Sequence, residues 1–140
     1  MSIKKAYHYL FYKYYRFFQS IPFNDVWLEG KAGVVIMYLQ MVYSLIILLQ
    51  LQIHGLIDID KHVTKNPLPP IIMIVFIHMI PIYTSFYYNQ GYKRYITEFK
   101  NYSSSKSLLW SWIAFLLVIF AMAGLVLTFY QMSVLYAPTK

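Results

Sequence analysis

Along the chain, segments in which polar residues recur every few positions alternate with long segments that have almost none. Three of the latter, at about 32–54, 69–88 and 107–130, contain no Asp, Glu, Lys or Arg. A helix rises about 1.5 Å per residue and a bilayer's hydrocarbon core is about 30 Å thick, so each segment is long enough to cross it. The second opens on Pro67, Pro69 and Pro70. Proline is tolerated in a first helical turn because the N–H it lacks has no partner there. Aromatic residues mark the ends of the segments: Trp27 before the first, Tyr83, Tyr87 and Tyr88 closing the second, Trp110 and Trp112 opening the third. Amphipathic rings favour the headgroup level.

Residues 3–21 follow another rule. On a helical wheel, Ile3, Ala6, Tyr7, Leu10, Phe11, Tyr14, Phe17, Phe18 and Ile21 share one half; Lys5, His8, Lys13, Arg16, Gln19 and Ser20 share the other, with Tyr9 and Tyr12 among them. This predicts a cationic amphipathic helix in the membrane interface, with Lys5, Lys13 and Arg16 toward the headgroups and Phe11 and Phe18 sunk below them. The alternative is a helix packed on the cytoplasmic ends of the spans. The predicted fold is an all-α membrane protein of one domain, residues 1–140, with three transmembrane helices preceded by an N-terminal amphipathic interfacial helix.

Composition agrees, because 59% hydrophobic residues and a mean hydropathy of +0.49 exceed what a soluble domain of 140 residues can bury. The formal charge of +7 does not point to nucleic acid, since the basic residues sit in short flanks of the apolar segments. Nine of them (Lys4, Lys5, Lys13, Arg16, Lys31, Lys93, Arg94, Lys100 and Lys106) fall before the first segment or between the second and third. Only Lys61, Lys65 and Lys140 fall in the other flanks. By the bias of Lys and Arg toward the cytoplasm, the N-terminus is expected inside and the C-terminus outside. Lys13 and Arg16 would interrupt the apolar core of a cleavable signal peptide. With no cysteine, disulfides, thiolate metal sites and cysteine nucleophiles are excluded.

Candidate sites are few. His78 lies near the middle of the second segment, three residues before Pro81, and an ionisable group at that depth is a functional candidate by default. Its expected partner is Gln40 or Tyr43 of the first segment, where Ser44 lies one turn from Gln40; Gln50 and Gln52 follow nearer the outer end. These groups either join helices or, in an oligomer, line a pore. In the third segment Ala114, Ala121, Gly124 and Thr128 recur at helical spacing, which lets another backbone approach from within the chain or from a partner. Asp58, Asp60 and His62 match no metal motif and read as a solvated loop. His54 and His78 differ in depth by about 15 Å at 1.5 Å per residue, too far apart to share one haem. No cofactor is expected, and no Walker loop, nucleophile elbow or zincin motif occurs.

Two stretches carry a resemblance: Trp27-Leu28-Glu29-Gly30-Lys31-Ala32-Gly33 entering the first segment and Phe129-Tyr130-Gln131-Met132-Ser133 leaving the third. With the aromatic and lysine-rich N-terminus, the layout resembles small uncharacterised three-span bacterial inner-membrane proteins, some encoded beside polymorphic toxin genes. The resemblance implies an inner-membrane location and protection against a toxin that acts at the membrane; it assigns no catalytic residue. The expected function is therefore non-enzymatic, by binding another protein in or at the membrane as an immunity protein or accessory subunit. A homo-oligomeric pore or membrane-perturbing effector is the alternative. Expected partners are the lipid bilayer and a membrane protein or second copy of the chain.

Overall fold

The computed structural model describes residues 2–22, 26–57 and 68–135, and every element among them is helical. The elements are α1 (Ile3–Gln19), α2 (Leu28–Ile53), α3 (Leu68–Ile82), a π turn (Tyr83–Tyr87), a 3-10 turn (Tyr88–Gln90), α4 (Gly91–Lys100) and α5 (Ser104–Leu135). Three helical runs, Leu28–Ile53, Ile72–Lys100 and Ser104–Leu135, are long and apolar enough to cross a membrane. The architecture is that of a multi-pass membrane protein.

α2 is central, with α3 and α5 packed against it. It starts at Trp27, whose φ of 55° is left-handed, and the indole folds back over Gly30, where a Cβ would collide with the ring. It ends at Gly55 with φ 69°, the left-handed C-terminal turn that glycine adopts without strain, and the Leu56 amide donates to the Leu51 carbonyl at 2.9 Å. Toward α5, a Cβ on Gly124 would press on Ile46. The Tyr43 hydroxyl donates to the Leu117 carbonyl at 2.7 Å, and the Gln50 amide donates to Thr128 Oγ1 at 3.1 Å and Gln131 Oε1 at 2.7 Å. Small residues and polar links are how helices associate where lipid is as apolar as the side chains.

α3 carries Pro81 and passes into the π turn. Without the Pro81 N–H its helical bonding pattern is broken, and the Thr84 hydroxyl bonds nearby carbonyls, of Ile80 at 2.8 Å and Pro81 at 3.3 Å. Asn89 and Gln90 then take φ of 50° and 54°, turning the chain into α4. The sequence expectation includes no element between the second and third segments, yet Tyr92, Tyr95, Ile96 and Phe99 carry helical spacing.

α1 departs furthest from expectation, for it packs against α2, α4 and α5. Phe11 and Tyr14 join Ile36, Leu39, Phe86 and Ala114 in one cluster, while Tyr9 and Tyr12 join Phe99 in a second, with Trp110 packed against it. Phe11 is 0% exposed, stacked on Phe86 with ring centroids 4.1 Å apart, so it is no lipid-facing residue. The helical wheel placed Tyr9 and Tyr12 on the polar half. Both are buried because neighbouring helices supply ring partners that a wheel drawn for one helix cannot show.

Candidate functional site

At the middle of the spans, α2 and α3 meet through an imidazole and a hydroxyl. His78 Nδ1 lies 2.7 Å from the Ile74 carbonyl one turn back, and Nε2 lies 2.8 Å from Ser44 Oγ. A carbonyl only accepts, so Nδ1 carries the hydrogen, and in the neutral ring Nε2 is left to accept from the Ser44 hydroxyl. The partner expected from the sequence is Gln40 or Tyr43. The structure corrects this to Ser44, because Tyr43 is turned to α5 and the Gln40 amide donates to the Tyr7 hydroxyl of α1 at 3.1 Å.

These groups line one side of an open cleft of about 450 Å³ with contributions from all four surrounding helices: Tyr7 from α1, Gln40, Ser44 and Ile47 from α2, His78 from α3 and Leu117 from α5. Among the described residues the lining contains no Asp, Glu, Lys or Arg. Burial raises the pKa of the Tyr7 phenol, and the Gln40 hydrogen bond partly opposes that, so the group stays a neutral hydroxyl. Gln40 Oε1 is buried without a hydrogen-bond partner. A cleft of hydroxyls, an amide and an imidazole in apolar walls can recognise a polar atom entering from the bilayer side through hydrogen bonds. Tyr7 was read only as part of an apolar stripe. A tyrosine on such a stripe has a hydroxyl to place, and that was the available signal.

The remaining predicted residues fall elsewhere. Ala114, Ala121, Gly124 and Thr128 all serve contacts within the chain. Ala114, Ala121 and Thr128 are buried, the Tyr14 hydroxyl donates to the Ala114 carbonyl at 2.9 Å, and Gly124 and Thr128 meet α2 as described above. Lys5 pairs with Glu98 of α4 at 2.8 Å, on the surface. Lys13 donates to Ser107 Oγ at 2.6 Å and Ser111 Oγ at 3.1 Å at the start of α5; Arg16 is exposed and bonds Gln19; Phe18 is half-buried. Asp58, Asp60 and His62 lie outside the described residues.

Comparison of the chain with protein-family models, curated proteins and solved structures gives no match.

Proposed function

We propose that this chain is a non-enzymatic multi-pass protein of a bacterial inner membrane that works by binding another protein within the bilayer, as an immunity protein or an accessory subunit. The observation that carries the reading is the cleft between α3 and α5, where Gln40, Ser44 and His78 present polar groups at mid-span among apolar walls. Its occupant is a transmembrane helix of the partner that carries a small polar residue at the same depth. Such a helix meets the apolar walls by packing and the polar groups by hydrogen bonds, the two forces that join helices in lipid. The resemblance to proteins encoded beside toxin genes names the kind of partner, a toxin acting at the membrane.

The same proposal includes the orientation given by the basic flanks, with N-terminus and α4 cytoplasmic and C-terminus external. It keeps α1 at the inner membrane surface, its packed faces toward the spans and its exposed residues, Arg16 and Phe17 among them, toward lipid. The pore alternative draws on the glutamines of α2, but Gln40 and Gln50 are hydrogen-bonded inside the protomer.

The cysteine-free chain makes a clean test possible. A photo-crosslinker at Ile47, which is 60% exposed on the cleft, is expected to trap a different protein in native cells, while one at Val126 on the outer face of α5 traps lipid. Adducts only at multiples of the chain's own mass, together with loss of membrane potential on expression, would favour the pore instead. A C-terminal reporter active only in the cytoplasm would overturn the orientation.

A further inference from the structure

A second cavity, about 670 Å³, lies between the C-terminal half of α1, α2 and the first half of α5; it shares Leu39 with the mid-span cleft but differs from it in chemistry. Its lining combines two cations, Lys13 and Arg16, with apolar walls that include Phe17, Leu39, Phe115 and Val118. From Ser111, beside the Lys13 ammonium, to Val118 is seven residues of helix, so the slot runs about 10 Å along α5 at 1.5 Å per residue.

The Lys13 ammonium is held by two serine hydroxyls and lies over the Tyr9 ring, 5.6 Å from its centroid. Among the described residues the lining of this cavity includes no carboxylate. Desolvation, and then the neighbouring Arg16 charge, lower the Lys13 pKa, as expected for two cations brought together without an anion. Hydroxyls position an ammonium but do not neutralise it. An occupant that relieves this strain carries a negative charge at one end and a flexible apolar chain at the other, and at this level of a membrane-spanning protein that describes a lipid.

We propose that this cavity binds one anionic phospholipid, with its phosphate between Lys13 and Arg16 and one acyl chain lying along α5 past Phe115 to Val118. A partner helix is a poorer occupant, because Lys13 and Arg16 leave two cations in the lining for an anion to meet. The site also gives α1 a role beyond packing: the helix supplies both cations and part of the wall, so it reads lipid charge from inside the fold.

The test is native mass spectrometry of the full chain released from micelles containing equal phosphatidylglycerol and phosphatidylcholine. The expected result is retention of one phosphatidylglycerol with a preference of about thirtyfold, the order that two cations near one anionic group supply. The Lys13→Gln/Arg16→Gln double variant is expected to lose the preference. Lys93→Gln/Arg94→Gln, which removes two cations from α4 away from the cavity, is expected to keep it. Val118→Trp, which fills the apolar end, is expected to lower retention of both lipids. Far-ultraviolet circular dichroism identifies variants that fail to fold, and Lys13→Arg, which keeps the charge, is then the second comparison and should retain the preference. Equal retention of the two lipids by the unaltered chain would overturn the proposal, as would equal loss in the α4 variant. Displacement of the lipid by excess inorganic phosphate at constant ionic strength would assign the site to the free anion instead.

Discussion

The end of the helices that carries α1 and α4 and the end toward Ile53 and Leu135 are held by different forces. At the first, rings pack on rings. Tyr9, Phe11, Phe86 and Phe99 are at most 2% exposed, and His8 stacks on Tyr95 with centroids 3.8 Å apart. At the second, α2 and α5 touch through Gly124 against Ile46 and through the Gln50 amide, while Val126, Leu127, Phe129 and Tyr130 face outward. Burying a ring gains most where the alternative is water. In hydrocarbon an outward leucine costs nothing, so close backbones and hydrogen bonds do the joining.

The largest test of that contrast is Phe86→Ala. It empties the centre of the ring cluster and is expected to cost about 3–5 kcal/mol, whereas Leu127→Ala, on an outward residue, should stay within about 0.5 kcal/mol. Reversible unfolding in mixed micelles measures both, and equal costs would break the comparison.

Next in size is Gly33→Ala. The Tyr87 hydroxyl donates to the Glu29 carbonyl at 2.9 Å through the space that a Cβ on Gly33 would fill. The expected cost is about 1–3 kcal/mol for overpacking. In a Tyr87→Phe background the same change should cost less, since the colliding oxygen is gone. A double-mutant cycle with no coupling would place the strain elsewhere. It also bears on the Trp27 to Gly33 stretch: Gly30 admits the Trp27 indole and Gly33 admits Tyr87, so both glycines are there for close approach.

Smaller effects belong to the polar links. Gln50→Leu should cost about 0.6 kcal/mol, and no more than about 1.7, since hydrogen bonds between membrane helices average low. Ser44→Ala should fall in the same range by removing the donor to His78 Nε2. A cost at Gln50 matching that of Phe86→Ala would show that polar contacts hold the distal half as strongly as rings hold the other.

The smallest expected effect is a pH slope from His8, which is buried between Phe86 and Tyr95. Desolvation lowers its pKa, Lys4 adds to the lowering and Glu98 opposes it. A folded value below the unfolded one means that the unfolded chain takes up the proton more readily. Stability is then intact above about pH 6.5, the ordinary histidine value, and is lost as pH falls toward the folded value. Melting temperatures from pH 7.5 to 5.5 should show this slope and should lose it in His8→Phe.

Much of the scaffold was legible in one dimension, for a simple reason. A segment without charge over twenty residues has one stable environment, and the helix is the backbone form that satisfies itself there. The polar site was legible in part. Depth along the second segment singles out His78 and puts its contact in the first segment, but position along a helix fixes height and not rotation about the axis. Rotation sent Tyr43 to α5, Gln40 to Tyr7 and His78 to Ser44. The small residues Ala121, Gly124 and Thr128 announced a close approach without saying to what.

The sequence by itself determined that there would be three long apolar helices, where charge would gather and that a further helix would precede them, which the structure gives as Ile3–Gln19. Those are properties of a segment in its solvent. Only the tertiary structure decided that α1 has two buried faces, that Tyr9 and Phe11 lie in separate ring clusters, and that Lys13 stands over an apolar slot. An aromatic helix beside membrane spans can bury its rings in lipid or in protein at similar gain. The choice between them rests on partners such as Phe86, Phe99 and Trp110, which come from distant parts of the chain and meet only in the fold.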